Sequence, residues 1–301
     1  MPVSDKFGSP EQQKRFMEAV ARIRARAHLD RSYLCEGIDV DANKVITIDQ
    51  SHNRGLDTSV ERNPTVFSMY GENGEKTVKF KVYSLFRRIG DEMHDGNPLV
   101  KALKHEGGYT MTAETENYMW SLCREIAKKI ALELDGKIVV LAPSTSELNA
   151  MVWNHIADIF PNSREIGEAP LNKISTEDIY DELSEDDIFL NAWVSLVKDE
   201  AEAMRRFHKC FSEMGPYFKL HSLPVQMRHV VSRTMQISKS FEFNFGDGGE
   251  IIGNDLLVID DTVTKGHTLK EAYRLLTENF APKSVTCLTL CSKLYNPKNR
   301  G

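Results

Sequence analysis

Two adjacent carboxylates stand where an apolar run ends. In LLVIDDTVTKGHTL, residues 256–269, four apolar residues lead into Asp260 and Asp261, then into a threonine-rich loop with one glycine, before an amphipathic run begins. A short, partly β-branched apolar run of this kind reads as a buried strand of a parallel sheet. Polar groups at the carboxyl end of such a strand face the crevice where open α/β sheets take their ligands. Asp260 and Asp261 are therefore expected at a rim rather than in the core. Desolvation costs little there, and the carboxylates can accept hydrogen bonds from sugar hydroxyls or attract a metal ion. The next residues, TVTKGHT, reach the start of a helix near Leu269. Backbone N–H groups at that end, the hydroxyls of Thr264 and Thr268 and the tight turn allowed by Gly266 make a cradle for an anion, phosphate above all. Lys265 adds a point charge. A grip for a diol beside a cradle for phosphate describes a ribose 5-phosphate site. The alternative is a plain strand, turn and helix whose acids only cap or solvate the junction. Walker B strands also end in acids, but no GxxxxGK[ST] loop occurs in the sequence, which argues against a P-loop ATPase.

The stretch VIDDTVTKGHTL resembles the phosphoribosyl diphosphate motif of type I phosphoribosyltransferases: an apolar strand, two acids, then a Thr/Gly loop opening a helix. The resemblance implies that Asp260 and Asp261 grip the ribose 2- and 3-hydroxyls. It places Thr262, Thr264, Lys265, Gly266, His267 and Thr268 around the 5-phosphate. Lys265 and His267 stand where threonine and a small residue are more usual, and Thr262 replaces a commonly aliphatic residue. The family also holds diphosphate with a loop after an early strand. The matching place is LAPSTSELN, where Ser144, Thr145 and Ser146 follow the run KIVVLA, without the basic or glycine residue often found there. Ser144 and Glu147 equally have the S-x-x-E spacing of a capping box, and both readings stand. Arg228, Arg233 and Lys239 lie where the family has a mobile segment, and such cations would neutralise departing diphosphate. A solvated basic face is the other account of them.

By the same resemblance, the chain is expected to be a pentosyltransferase. It would bind phosphoribosyl diphosphate with Mg2+ and transfer phosphoribosyl to a nitrogen nucleophile such as a nucleobase, releasing diphosphate. No set of protein ligands for the metal is implied. A non-catalytic sensor that keeps the ribose-phosphate grip is the alternative. A ribose-phosphate diphosphokinase shares a related motif but would need an ATP site, and none is legible.

The elements that must position these residues follow from periodicity. After Ser9-Pro10, Phe16, Val20, Ile23 and Ala27 fall at helical spacing. KVITID, PTVFSMY and TVKFKVYSLF are strand-like, with the turn signal GENGEK between the last two predicting a hairpin. Residues 95–110 read as turn, short helix and loop. Residues 114–134 read as one long helix with Met119, Leu122, Ile126 and Ile130 on a face, feeding the strand KIVVLAP and then a helix from STSELN onward. Helix, strand and helix in alternation predict a parallel sheet. Residues 161–223 depart from that order, with an acidic stretch and a long helical run, and read as a helical insertion or cap. LKEAYRLLTENF and SVTCLTLCSKL then give a helix and a strand.

The expected fold is α/β: a phosphoribosyltransferase-like parallel-sheet core over residues 111–301, an N-terminal helix with a β-rich hood or accessory lobe over 1–110, and the insertion at about 161–223. GDGGEIIG precedes a strand instead of following one and is a turn, not a dinucleotide fingerprint. His208, Cys210, His221 and His229 lack the paired spacing of a zinc site. Trp120, Trp153 and Trp193 fall on helical patterns as packing residues, and Cys287 and Cys291 on one face of a strand.

Composition narrows the classes. The 301 residues carry a formal net charge of -6, with 41% hydrophobic and 27% charged residues. That balance argues against a surface built to grip nucleic-acid phosphates. Five scattered cysteines make no disulfide framework, and with a charged, signal-free start they predict a reducing cytoplasm. No apolar run is long enough to span a bilayer. The expected partners are small molecules, phosphoribosyl diphosphate and an unidentified acceptor. A homodimer stays open.

Overall fold

The structure, a computed structural model, describes residues 37–49, 56–73, 76–88, 97–144, 146–218, 222–224, 227, 231, 233–245, 249–263 and 266–293. The helix expected near the N-terminus lies outside the described residues. Contacts divide the chain into two units, Met1–Asn63 with Phe86–Leu122, and Pro64–Leu85 with Cys123–Gly301. The hairpin expected in an N-terminal lobe therefore groups with the C-terminal residues.

In the first unit, β1 (Gly37–Val40) and β2 (Val45–Asp49) form an antiparallel pair in which Val40 faces Ile46. The turn between them is held by Asp41, whose Oδ1 accepts from the backbone N–H groups of Asn43 and Val45, both at 2.8 Å. The two-residue β3 (Leu56–Asp57) pairs antiparallel with Arg88 and Arg87 at the end of β5 (Lys76–Arg88). Helix α1 (Asn97–Leu103) buries Leu99, Val100, Ala102 and Leu103, and β6 (Thr110–Met111) runs parallel to β2.

In the second unit, β4 (Thr65–Asn73) folds back on β5, with Asn73 facing Lys76 across the turn that GENGEK announces. From β5 the sheet continues through β12 (Ser284–Lys293), β11 (Asp255–Val263), β7 (Ile138–Leu141) and β8 (Arg164–Glu165). β12, β11, β7 and β8 are mutually parallel. Alternate residues of β11 lie on opposite faces. Leu256 and Val258 join Val140, Val285 and Cys287 in the cluster that helix α9 (His267–Phe280) covers with Leu269, Ala272, Tyr273, Leu276 and Phe280. Those α9 positions form a helical stripe. Tyr273 stacks on Phe80 of β5 with ring centroids 4.6 Å apart. It passes Gly71 of β4 so closely that a β-carbon there would lie 2.4 Å from the ring.

The long helix expected over 114–134 is interrupted: α2 spans Ala113–Lys128 and α3 spans Ala131–Leu134. Tighter turns cause the break, with Lys129 N–H donating to Ile126 and Ile130 N–H to Ala127. Met119, Leu122, Ile126 and Ile130 are all buried, as are the three tryptophans. After β7, helix α4 (Leu148–Ile156) packs against β11.

The expected departure from the sheet at 161 begins later, because Arg164 and Glu165 still pair with Ile138 and Val139. Two charged residues offer no apolar pattern from which an edge strand can be read. Beyond them, β9 (Leu171–Lys173) pairs antiparallel with β10 (Met235–Ile237). Between these lie α5 (Thr176–Ser184), α6 (Asp187–Val197) and α7 (Glu200–Ser212). These helices bury a cluster of their own, with Ile179, Leu183, Phe189, Trp193, Phe207 and Phe211. Ser175 caps α5 by accepting from Asp178 N–H, and Asp199 caps α7 by accepting from Glu202 N–H at 2.7 Å. Helix α8 (Lys239–Phe245) follows β10. No helix among the described residues is long and apolar enough to cross a membrane.

Asp255 fixes the start of the β11–β12 pair. Its carboxylate accepts from Lys283 Nζ at 2.8 Å and from Ser284 Oγ, and Ser284 is its register partner. The hydrogen bond from Lys283, then that from Ser284, hold this carboxyl below the usual carboxylate range. A depressed folded-state pKa gives stability that is present above the unfolded pKa of about 4 and is lost as pH falls through the folded value. Asp255→Asn should therefore lower stability most near neutrality and least at strongly acid pH, flattening the acid side of a stability–pH profile measured by urea unfolding. Ala281 closes α9 in the left-handed region at φ 42°. Ala281→Gly should raise stability by about 1 kcal/mol in the same measurement, because glycine lacks the β-carbon that makes this conformation costly.

Candidate functional site

Parallel pairing of β7 with β11 brings two of the expected loops to the same edge of the sheet. Ile259 is in register with Leu141, and Ala142 N–H donates to the Ile259 carbonyl at 2.8 Å. The chain that leaves β7 through Ala142, Pro143 and Ser144 thus starts beside Asp260. Asn149 secures this exit: its buried Nδ2 donates to the Ala142 carbonyl at 2.8 Å from the first turn of α4. No motif in the sequence marks Asn149 for that task.

The acids are not at an open rim. Asp260 and Asp261 are 6% and 8% exposed, and they lie within β11, which runs on to Val263. The physical reason is the length of β12, which pairs Asp260 with Thr289, Thr262 with Cys291 and Val263 with Ser292. An apolar run of four residues shows where burial begins, but pairing with β12 carries the strand on to Val263.

As neighbours on a strand, the two carboxylates point to opposite faces. Asp260 shares its face with Val258, Cys287 and Thr289, and Asp261 shares the other with Ile259. Asp260 Oδ1 accepts from Asp261 N–H at 3.0 Å, and Asp261 Oδ1 accepts from the Thr262 hydroxyl at 2.8 Å. Burial, and secondarily the charge of Asp260, push the Cys287 thiol far above its ordinary range, so it stays protonated.

Gly266 enters α9 with φ 74°, and no side chain caps that helix end. The glycine is required twice over. Its backbone is left-handed, and a β-carbon would lie 1.8 Å from Met69 Cε of β4. His267 is exposed and Thr268 half-buried on the first turn, while Thr264 and Lys265 lie outside the described residues. Met69, which shapes this turn from a distant strand, carries no signal in the sequence.

The capping box expected at Ser144 and Glu147 does not form. Helix α4 begins at Leu148 after Glu147, without a side-chain cap, and the Ser144 hydroxyl instead accepts from Ser146 N–H at 3.2 Å. Thr145 lies outside the described residues. Among the expected cations, Arg233 is paired with Glu182 of α5, Lys239 is exposed at the start of α8, and Arg228 lies outside the described residues.

Two cavities border other residues than the acid pair. One of about 790 Å3 is bordered by Tyr180, His208, Phe211 and Tyr217, with the Tyr180 hydroxyl 2.7 Å from His208 Nδ1. A polar cleft of about 200 Å3 opens beside the first turns of α9, between Tyr70, Glu72, Thr234, His267 and Lys270. Volume alone does not locate the chemistry. Topology brings the acid pair, the glycine turn and the Ser144 loop to one edge of the sheet.

The phosphoribosyl transferase domain family matches residues 223–300, a span holding β10 to β12, α8, α9 and the whole acid-to-glycine stretch. No curated protein matches the chain. The Ser144 loop lies upstream of the matched span.

Gly266→Ala should destabilise the protein by about 2 kcal/mol, from overpacking against Met69 and from the left-handed backbone. Combining it with Met69→Ala should show favourable coupling on the order of 1 kcal/mol in a double-mutant unfolding cycle, since the shorter side chain removes the steric share. Strict additivity would mean that the two residues do not meet.

Proposed function

We propose that the chain is a phosphoribosyltransferase that binds phosphoribosyl diphosphate at the carboxyl edge of β11 and transfers its phosphoribosyl group to a nitrogen nucleophile, releasing diphosphate. One observation carries this reading: the acid pair and the glycine-turned start of α9 adjoin each other at that edge, within the span that matches the phosphoribosyl transferase domain. Asp260 and Asp261 hold the ribose hydroxyls. Thr262, Thr264, Lys265, Gly266, His267 and Thr268 surround the 5-phosphate, whose charge suits the uncapped N–H groups of a fourteen-residue helix. Ser144, Thr145 and Ser146 flank the diphosphate, and Arg228, Arg233 and Lys239 are its available cations. Arg233 would have to leave Glu182 to take that part.

Mg2+ fits this donor set in a restricted way. Among the described residues no group of three His, Cys, Asp or Glu is gathered for a metal, and Asp260 and Asp261 lie on opposite strand faces. Such a pair suits an ion held chiefly by substrate oxygens and water, with a single carboxylate supporting it. Bound there, the ion would neutralise charge growing on diphosphate. The chain's own contribution is to fix the ribose and 5-phosphate while positive charge develops at the anomeric carbon, beside buried carboxylates.

A sensor that binds the same ligand without turnover is favoured by two facts, the burial of both acids and the ion pair that occupies Arg233. Incubating the protein with Mg2+, phosphoribosyl diphosphate and a panel of nucleobases while following diphosphate release separates the two. Release that depends on one base supports the transferase, and calorimetric binding without release supports the sensor. Asp260→Asn combined with Asp261→Asn should weaken phosphoribosyl diphosphate binding by about tenfold or more, the loss expected for charged hydrogen bonds to hydroxyls. Unchanged affinity in a variant with an unaltered melting transition would remove these residues from the site.

A further inference from the structure

We propose that Asn149 is a positioning residue for diphosphate, a role that rests on the phosphoribosyltransferase reading of the site. Through one hydrogen bond it sets the direction in which the Ser144 loop leaves β7, and so places that loop beside the acid pair. Three groups form a chain across this edge of the sheet. Asn149 Nδ2 donates to the Ala142 carbonyl at 2.8 Å, Ala142 N–H donates to the Ile259 carbonyl at 2.8 Å, and that carbonyl belongs to the peptide group leading into Asp260. Hydrogen bonds in series polarise and strengthen one another. A helix, the first residue of the loop and the strand that carries the acids are tied in one line.

Stability alone does not account for this amide. Asn149 is 2% exposed, and its buried Oδ1 meets no donor among the described residues. Leaving a buried acceptor unpaired costs more than one neutral hydrogen bond returns. Nor does α4 need the amide to stay on the sheet, since Leu148, Val152, Trp153 and Ile156 are buried along the same helix. What the amide holds is Ala142. This residue follows the last residue of β7 and is itself buried, so its carbonyl is shielded from water and takes its direction from Asn149 Nδ2. The acid strand has a second support, because β11 pairs with β12 from Asp255 to Val263. Loss of the Asn149 bond therefore frees the loop but leaves Asp260 and Asp261 in place, and the two halves of the substrate should respond differently.

Calorimetry on the full-length chain with Mg2+ separates those halves, using inorganic diphosphate and ribose 5-phosphate as probes. The wild type should bind both. Asn149→Asp sets a carboxylate against the Ala142 carbonyl and should weaken diphosphate binding about tenfold while keeping ribose 5-phosphate within about twofold. As pH falls through the raised pKa of this buried carboxyl, its O–H becomes a donor, and diphosphate affinity should recover toward that of the wild type at the same pH. An amide that only supported the fold would weaken both probes together and show no such recovery. Unchanged diphosphate affinity in Asn149→Asp, equal loss of both probes, a selective loss that does not recover at lower pH, or a wild type that binds ribose 5-phosphate but not diphosphate would each overturn the role of Asn149 alone. A wild type that binds neither probe would overturn the proposed function together with it. Should Asn149→Asp fail to fold, Asn149→Ala decides by the same comparison, with diphosphate weakened selectively at every pH.

Discussion

The arrangement of the C-terminal unit depends on two places where a side chain is missing. Gly71 leaves room for the Tyr273 ring and Gly266 leaves room for Met69, so β4 and α9 meet at both positions through a glycine on one side and a bulky residue on the other. This reciprocal fit sets the height of α9 on the sheet and hence the place where its N-terminus meets the end of β11. Interiors packed at crystal-like density transmit such constraints over several residues. The candidate site thus inherits its geometry from a hairpin far away in sequence.

Much of the C-terminal architecture is legible in the sequence because three independent signals coincide there. The run from Leu256 to Ile259 has strand character, the next residues carry turn chemistry, and Leu269, Ala272, Tyr273 and Leu276 recur at helical spacing. Where only one signal exists, sequence reasoning falls short. Ser144 and Glu147 have capping-box spacing, yet Ser144 bonds to Ser146 and the helix starts later. Arg164 and Glu165 form a strand that no apolar pattern announces. The hairpin itself is legible from its turn, but its affiliation is decided by β5 lying beside β12, a long-range pairing that local sequence does not encode.

Burial of the acid pair changes what the two carboxylates require of their surroundings. A carboxylate at an open rim is ready-made for a ligand, whereas one within a strand must have its charge sustained by nearby donors. Asp261 N–H and the Thr262 hydroxyl supply two such bonds from adjacent residues. Thr262, unusual for the resembled motif, thereby gains a role that an aliphatic residue could not fill.

Among the described residues the cysteines differ in burial. Cys123, Cys287 and Cys291 are sealed in and around the sheet, whereas Cys210 is half-exposed on α7 in the helical insertion. A sealed, protonated thiol is chemically silent until its surroundings open. The described residues therefore include reporters of local opening: the rate at which an alkylating reagent takes Cys210 reads the breathing of the helices, and the rate at which it takes Cys123, Cys287 and Cys291 reads opening in and around the sheet.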